Sequence, residues 1–152
     1  MAKIFTIGQE KASLDQFLAK LCQELISLLV DIRSIPWSRR PEFSGTGLSQ
    51  NLEAAKIHDL HLKALGNPAE GRIAAKSGDR REYHRIFLAH LQTAAVQEAL
   101  VKVRKYAKTQ IPCLLCYERY AEHCHRSLVT AALKSQEIPN LQIIDLVRGT
   151  LL

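Results

Sequence analysis

The sequence predicts an α/β fold, a three-layer sandwich in which a mostly parallel sheet of about five strands lies between two layers of helices. Short apolar runs recur along the chain, and the segments between them carry apolar residues at helical spacing. The clearest example lies within the first 32 residues, where a strand, an amphipathic helix and a buried strand form a βαβ unit. Such units place helices on the faces of a parallel sheet.

The first three elements follow from local patterns. Residues 3–7 alternate β-prone side chains, which is typical of a strand. Ser13 and Gln16 have the spacing of a helix N-cap, and apolar residues then recur on one helical face as far as Leu25. Residues 28–32 form a short apolar run of the kind found in buried parallel strands.

The later elements are predicted from the same signals. Residues 33–47 contain two prolines and two glycines, which indicates a long loop at the carboxyl end of the second strand. A further loop is predicted over 67–78. The remaining predicted helices span 48–57, 80–91, 93–108 and 125–136, and the remaining predicted strands span 60–62, 112–116 and 141–146.

Length and composition predict a single domain over residues 1–152. Apolar residues make up 47% of the chain and charged residues 24%, which excludes a disordered or low-complexity protein. Every apolar run is shorter than the ~20 residues of a membrane span, so we expect no membrane partner. Because the N-terminal residues do not resemble a signal peptide, we expect a cytoplasmic protein whose four cysteines are reduced.

The positive charge is concentrated in one part of the chain. Lys and Arg outnumber Asp and Glu by 21 to 15, and residues 72–126 hold eleven basic against five acidic side chains. A localised excess of this kind favours a small anionic ligand or a nucleic acid as partner. The alternative interpretation is a solvated basic helix face.

A first group of candidate site residues follows the second predicted strand, in the loop that contains Pro36. Its members are Arg33, Ser34, Ser38 and Arg39. Guanidinium and hydroxyl donors suit phosphate or carboxylate, and Trp37 in the same loop is able to stack on a base or on an Arg plane. The alternative is a solvated loop in which Trp37 packs on the core and Arg33 pairs with Asp31 or Glu118.

A second group lies between the fourth predicted strand and the helix after it. Its members are Cys116, Glu118, Cys124, His125 and Arg126. A helix N-terminus attracts anions, and Arg126 would add donors there. The same potential favours a thiolate at Cys116 or Cys124. In the alternative interpretation these cysteines pack as small apolar groups and Glu118 pairs with Arg126.

Other cysteine chemistry is less favoured by the sequence. Cys116, His123, Cys124 and His125 are residue types that bind zinc, but their spacing fits no CxxC pair, so no metal site is predicted. Cys22 and Cys113 are predicted core residues.

These two groups make the chain similar to domain-of-unknown-function family 488. The resemblance rests on Thr6-Ile7-Gly8, on the motif VDIRSIPWSR that begins at Val30, and on LLCYE from Leu114 followed by Cys124-His125-Arg126. It implies the α/β fold and assigns no activity. The family's hallmark positions correspond to Asp31, Arg33, Ser34, Pro36, Ser38, Arg39, Cys116, Glu118, Cys124, His125 and Arg126.

A weaker resemblance connects the chain with rhodanese-type and cysteine-phosphatase domains. It rests on a strand that ends in Asp-x-Arg and on a strand that ends in Cys, whose loop leads to an Arg at a helix start. Nine residues separate Cys116 from Arg126, a longer spacing than in those enzymes. The resemblance therefore implies an anion cradle more than a covalent mechanism.

The resulting functional hypothesis is an enzyme that acts on a phosphate-bearing small molecule such as a nucleotide. Arg33, Arg39 and Arg126 would hold the anion, Glu118 would be the general acid or base, and Cys116 is a reserve nucleophile. The alternative is a nucleic-acid-binding module that uses residues 72–126. A third hypothesis is a partner-binding domain without chemistry. The enzyme hypothesis predicts convergence in one pocket, with residues 31–39 and 116–127 side by side, and the sequence identifies no cofactor.

Overall fold

The computed structural model describes residues 2–118, 125–134 and 140–146, and within them the chain forms one five-stranded parallel sheet. The strands are β1 Lys3–Gly8, β2 Leu28–Asp31, β3 His58–His61, β4 Pro112–Cys116 and β5 Gln142–Leu146. Their order across the sheet is β3-β2-β4-β1-β5, and each neighbouring pair is parallel.

Helices connect the strands and cover both faces of the sheet. They are α1 Leu14–Gln23, α2 Gly45–Ala54, α3 Ala69–Lys76, α4 Arg80–Leu91, α5 Ala94–Ala107 and α6 Arg126–Lys134. Ser13 accepts a hydrogen bond from the Gln16 amide, as the capping pattern predicts, and Asp79 caps α4 in the same way. Among the described helices, none combines the length and the apolar content that crossing a membrane requires.

Two separate hydrophobic clusters confirm the predicted three-layer sandwich. Side chains alternate between the faces of a strand, so Leu114 and Cys116 of β4 join one cluster while Cys113 and Leu115 join the other. The first cluster packs against α4, α5 and α6, and the second against α1 and α2. We refer below to the α4–α6 side and the α1–α2 side of the sheet.

The predicted loop over residues 67–78 is wrong, because this segment contains α3. Gly71 lies buried inside this helix, and a Cβ there would meet the end of the Asn67 side chain, which would have to move. Pro68 occupies the N-cap position, where its missing N–H leaves no helical hydrogen bond unmade.

The strand order brings three loops to one edge of the sheet. β4 lies between β1 and β2, with Gly8 beside Cys116 and Asp31 beside Leu115 at the carboxyl ends. The Ile32 amide donates to the Leu115 carbonyl at 3.0 Å, which extends this pairing beyond β2. The predicted proximity of the segments that follow β2 and β4 is thereby confirmed where both are described, and ligands of parallel α/β sheets bind at this edge.

Candidate functional site

Arg33 forms the buried centre of this edge. Its Nε and Nη2 donate to the two carboxylate oxygens of Asp31 at 2.9 and 2.7 Å. Its Nη1 donates to Gln9 Oε1 at 2.9 Å and to the Phe43 carbonyl at 2.8 Å. With a side chain only 6% exposed, Arg33 joins the segments after β1 and β2 to the turn before α2. The geometry matches the pairing with Asp31 that the sequence left as the alternative to anion binding.

Side chains beyond β4 continue the alternation of the strand. Cys116 faces the α4–α6 side, Tyr117 then contributes to a cavity on the α1–α2 side, and Glu118 contributes to a different cavity on the α4–α6 side. Arg33 lies on the α1–α2 side with Gln9 and Phe43. Consequently, the candidate residues expected in one pocket are divided between two faces of the sheet.

The first cavity, which we call the α4–α6 cavity, has a volume of about 770 Å³. The first turns of α4 contribute the guanidinium groups of Arg80 and Arg81 and the imidazole of His84. Glu118 from the β4 loop and His125 from the turn before α6 also line it. The cavity therefore combines two arginines with side chains capable of proton transfer.

His125 is held as a neutral imidazole. Its Nε2 lies 3.1 Å from the Ile32 carbonyl, an acceptor only, so Nε2 carries the proton and donates it to that oxygen. Burial lowers the pKa of His125 to about 4, and the positive charge of Arg126 acts in the same direction. At neutral pH the ring is thus an uncharged acid–base group that the backbone orients.

Tyr83 supplies a phenolic hydroxyl to the same cavity. Burial raises the pKa of Tyr83 to about 12, and the Glu118 carboxylate contributes to this increase. The phenol therefore remains protonated at neutral pH and can donate a hydrogen bond to an anion.

The second cavity, which we call the Trp37 cleft, has a volume of about 680 Å³ on the α1–α2 side. Two of the predicted residues, Ser38 and Arg39, line it together with Trp37 and Tyr117. Trp37 is 65% exposed, so it does not pack on the core as the alternative interpretation proposed.

The other predicted site residues that the structure describes line neither of these two cavities. Ser34 accepts a hydrogen bond from Arg72 Nη1 at 2.9 Å. Arg126 is fully buried in the first turn of α6, and its positive charge lowers the pKa of His125, which lines the α4–α6 cavity. Cys124 lies outside the described residues, as does His123.

Two cysteines, Cys116 and Cys22, differ from the sequence predictions. Cys116 is buried and disulfide-bonded, so the expectation of four reduced cysteines is wrong for this residue, and in this form its sulfur cannot be the nucleophile. Cys22 and Cys113 are free thiols. Cys113 is in the core as predicted, whereas Cys22 is exposed on α1.

Sequence reasoning missed the contribution of α4. Arg80, Arg81, Tyr83 and His84 were predicted to lie on a helix, but nothing local distinguished them from a solvated basic face. The available signal was the charge excess of residues 72–126, which includes this run. Part of that excess lies inside the fold, because Arg104 and Arg126 are buried.

The described residues contain no group of three or more His, Cys, Asp or Glu side chains arranged to hold a metal ion.

The Asp31–Arg33 pair is expected to be a major source of stability. Asp31→Asn leaves a buried guanidinium charge without its counterion, which should lower the free energy of unfolding by about 3 kcal/mol. Urea denaturation measures this change. The control is Glu82→Gln, which breaks the solvent-exposed pair with Arg85 and should leave the midpoint unchanged. Equal effects of the two variants would contradict the role assigned to Arg33.

His125 is expected to make stability pH-dependent. Its pKa is about 4 in the folded protein and 6.5 in the unfolded chain, so the unfolded chain binds the proton more readily between these values. The stability contribution is complete above pH 6.5 and is lost as the pH falls toward 4, by at most about 1.4 kcal/mol per pH unit. Urea denaturation at pH 7.5 and 5.0 should show a smaller pH effect in His125→Gln than in the wild type. An identical pH effect in both would contradict the buried neutral ring.

Comparison with known proteins gives one family match. Searches against curated proteins and against solved structures found no match. Residues 13–133, which include Asp31, Arg33 and most residues that line the two cavities, match the model of a family described as Domain of unknown function DUF488. The match covers well over half of the chain, and the chain belongs to this family.

Proposed function

We propose that the protein binds a phosphate-bearing small molecule in the α4–α6 cavity and acts on it as an enzyme, with Glu118 as the general acid or base. The observation that carries the proposal is the joint lining of one cavity by Arg80, Arg81, Glu118 and His125. Cationic donors bind and polarise a phosphate, while a carboxylate and a neutral imidazole move protons. A hydrolase or a transferase needs both kinds of group in one place.

The helix directions support the anionic character of the ligand. α4 begins at Arg80 and α6 begins at Arg126, and residues from the first turn of each line the cavity. The N-terminus of a helix carries a partial positive charge, which adds to the charge of the arginines. The buried charge of Arg126 contributes further, since it already lowers the pKa of neighbouring His125.

The acid–base groups of the cavity differ in their protonation. His125 is neutral and its Nε2–H donates to Ile32, which leaves Nδ1 as the nitrogen that bears a lone pair. Tyr83 stays protonated and is suited to donate to a phosphate oxygen. Glu118 is the carboxylate of this set, and we propose that it removes a proton from the attacking group or returns one to the leaving group.

The concave shape of the site also favours an enzyme over a general nucleic-acid-binding module based on residues 72–126. Such a module needs basic side chains on an exposed face. Arg104 and Arg126 are buried, and Arg72 donates to Ser34 and to the Asn67 carbonyl. These arginines are therefore directed into the fold rather than toward a duplex or strand.

Arg81→Ala is expected to weaken binding of nucleoside phosphates by about tenfold or more. A charge-assisted hydrogen bond contributes about 1.5–3 kcal/mol, and about 1.4 kcal/mol corresponds to one decade in affinity. Isothermal titration with adenosine 5′-triphosphate measures the change.

The matched control is Arg85→Ala, one helical turn further along α4. Arg85 is exposed and pairs with Glu82, and it does not line the cavity. Its replacement removes the same charge from the same helix, so the affinity should stay within about twofold of the wild type, because Arg85 does not line the cavity and its charge is compensated by Glu82. Equal losses in both variants would mean that only net charge matters, and they would contradict a defined site.

Glu118→Gln should separate binding from chemistry. The substitution removes a negative charge next to the anion, so the variant should bind adenosine 5′-triphosphate at least as tightly as the wild type. Conversion of the nucleotide, followed by phosphorus-31 NMR, should fall by about a hundredfold or more without the acid–base group. Weaker binding, or conversion at the wild-type rate, would contradict the role of Glu118.

A further inference from the structure

The Trp37 cleft has no part in the function proposed above. It lies on the α1–α2 side of the sheet, and none of its lining residues belongs to the α4–α6 cavity. Its volume of about 680 Å³ is within the range of small-molecule sites. Tyr117 lines this cleft, whereas its neighbour Glu118 lines the α4–α6 cavity.

Two aromatic side chains border this cleft and face solvent. Trp37 is 65% exposed and Tyr117 is 52% exposed, although both are large apolar groups. By contrast, Phe17 and Phe43 on the same side of the sheet are buried, with their ring centroids 5.1 Å apart. Exposed aromatic surface beside a cavity is a feature of sites that stack planar ligands.

The backbone that carries Trp37 is fixed by surrounding hydrogen bonds. The Trp37 amide donates to the Ile35 carbonyl at 2.8 Å, and the Gly45 amide donates to the Pro36 carbonyl at 2.9 Å. On the other side, Ser44 Oγ donates to the Ser38 carbonyl at 2.9 Å. The loop that carries the indole is therefore held in place, so less conformational entropy is lost when a ligand binds.

The side chain of Arg40 also holds the Trp37 loop in place. Its Nη2 donates to the Gln9 carbonyl at 2.6 Å, and its Nη1 donates to the Ala12 carbonyl. The guanidinium also lies 4.4 Å from the ring centroid of Phe43. These contacts connect the Trp37 loop to the segment between β1 and α1, so both walls of the cleft are held at a fixed separation.

The positive charge of the cleft indicates that a planar ligand bound there would be anionic. Lys11 and Arg39 are exposed on its walls, while Arg40 adds a third positive charge. No acidic side chain occurs among the lining residues in the described part of the chain. Aromatic faces next to lysine and arginine form the combination that holds the bases and phosphates of single-stranded nucleic acid.

We propose that the Trp37 cleft is a second binding site, in which a nucleobase stacks on Trp37 while its phosphate contacts Arg39 or Lys11. A free nucleotide and a single-stranded nucleic acid share this chemistry. The site is independent of the α4–α6 cavity, because it uses other residues on the other side of the sheet.

The chain contains a single tryptophan, so its fluorescence reports on Trp37 alone. Saturable quenching of the Trp37 fluorescence is expected with adenosine 5′-monophosphate, with a short oligodeoxyadenylate, or with both. Inorganic pyrophosphate, which has no base, should not quench it. Similar affinities for the two base-containing ligands identify a nucleotide site. Much tighter and strongly salt-dependent binding of the oligonucleotide identifies a site for a strand.

Substitutions then test the stacking itself. Trp37→Ala should weaken binding of a fluorescently labelled oligodeoxyadenylate by about tenfold or more, whereas Trp37→Phe should keep most of the affinity because it retains a flat ring. Val101→Ala is the control, since it removes an equally exposed apolar side chain from α5. Arg81→Ala should leave the quenching of Trp37 unchanged, which distinguishes this site from that of the proposed function.

Three results would overturn the proposal. The first is that neither base-containing ligand quenches the Trp37 fluorescence in a saturable way. The second is an affinity that Trp37→Ala leaves unchanged. The third is binding of a polyglutamate peptide with the same affinity and the same dependence on Trp37, because this would identify a site for acidic peptides instead of bases.

Discussion

The guanidinium of Arg33 is bonded at once to the side chain of Asp31, to the side chain of Gln9 and to the carbonyl of Phe43. These groups lie at the end of β2, just after β1 and before α2, so one buried cation fixes the relative positions of three segments. Removing such a charge from water is costly unless each donor finds an acceptor. The requirement for matched acceptors makes the carboxyl edge of the sheet a defined structure rather than a set of independent loops.

The contacts of Arg33 lie on one side of the sheet. They occupy the α1–α2 side, where Gln9 contributes to the floor of the Trp37 cleft while accepting from Arg33. The α4–α6 side is left to Glu118, His125 and the arginines of α4. Because Tyr117 and Glu118 follow the alternation of β4, neighbouring residues serve different cavities. Glu118 and His125 therefore line a cavity on the other side of the sheet from the exposed rings of Trp37 and Tyr117.

Much of the fold was predictable because its signals are local. The apolar run that begins at Leu28 and the cap at Ser13 identify a strand and a helix without reference to the rest of the chain. The site was predictable only in part. Glu118 and His125 do line a cavity, but an arginine after a strand, such as Arg33, has the same local sequence whether it binds a ligand or an internal carboxylate. Arg81 was missed for a related reason, since only the packing of α4 against the β4 loop reveals that it faces a cavity.

The most direct test of this account is a crystal structure of the protein with pyrophosphate. We predict the anion in the α4–α6 cavity, within hydrogen-bonding distance of Arg80 or Arg81, with Arg33 still bonded to Asp31 and Gln9. An anion bound to Arg33, with the pair to Asp31 broken, would contradict the assignment of Arg33 as a structural bridge and of α4 as the source of the anion-binding residues.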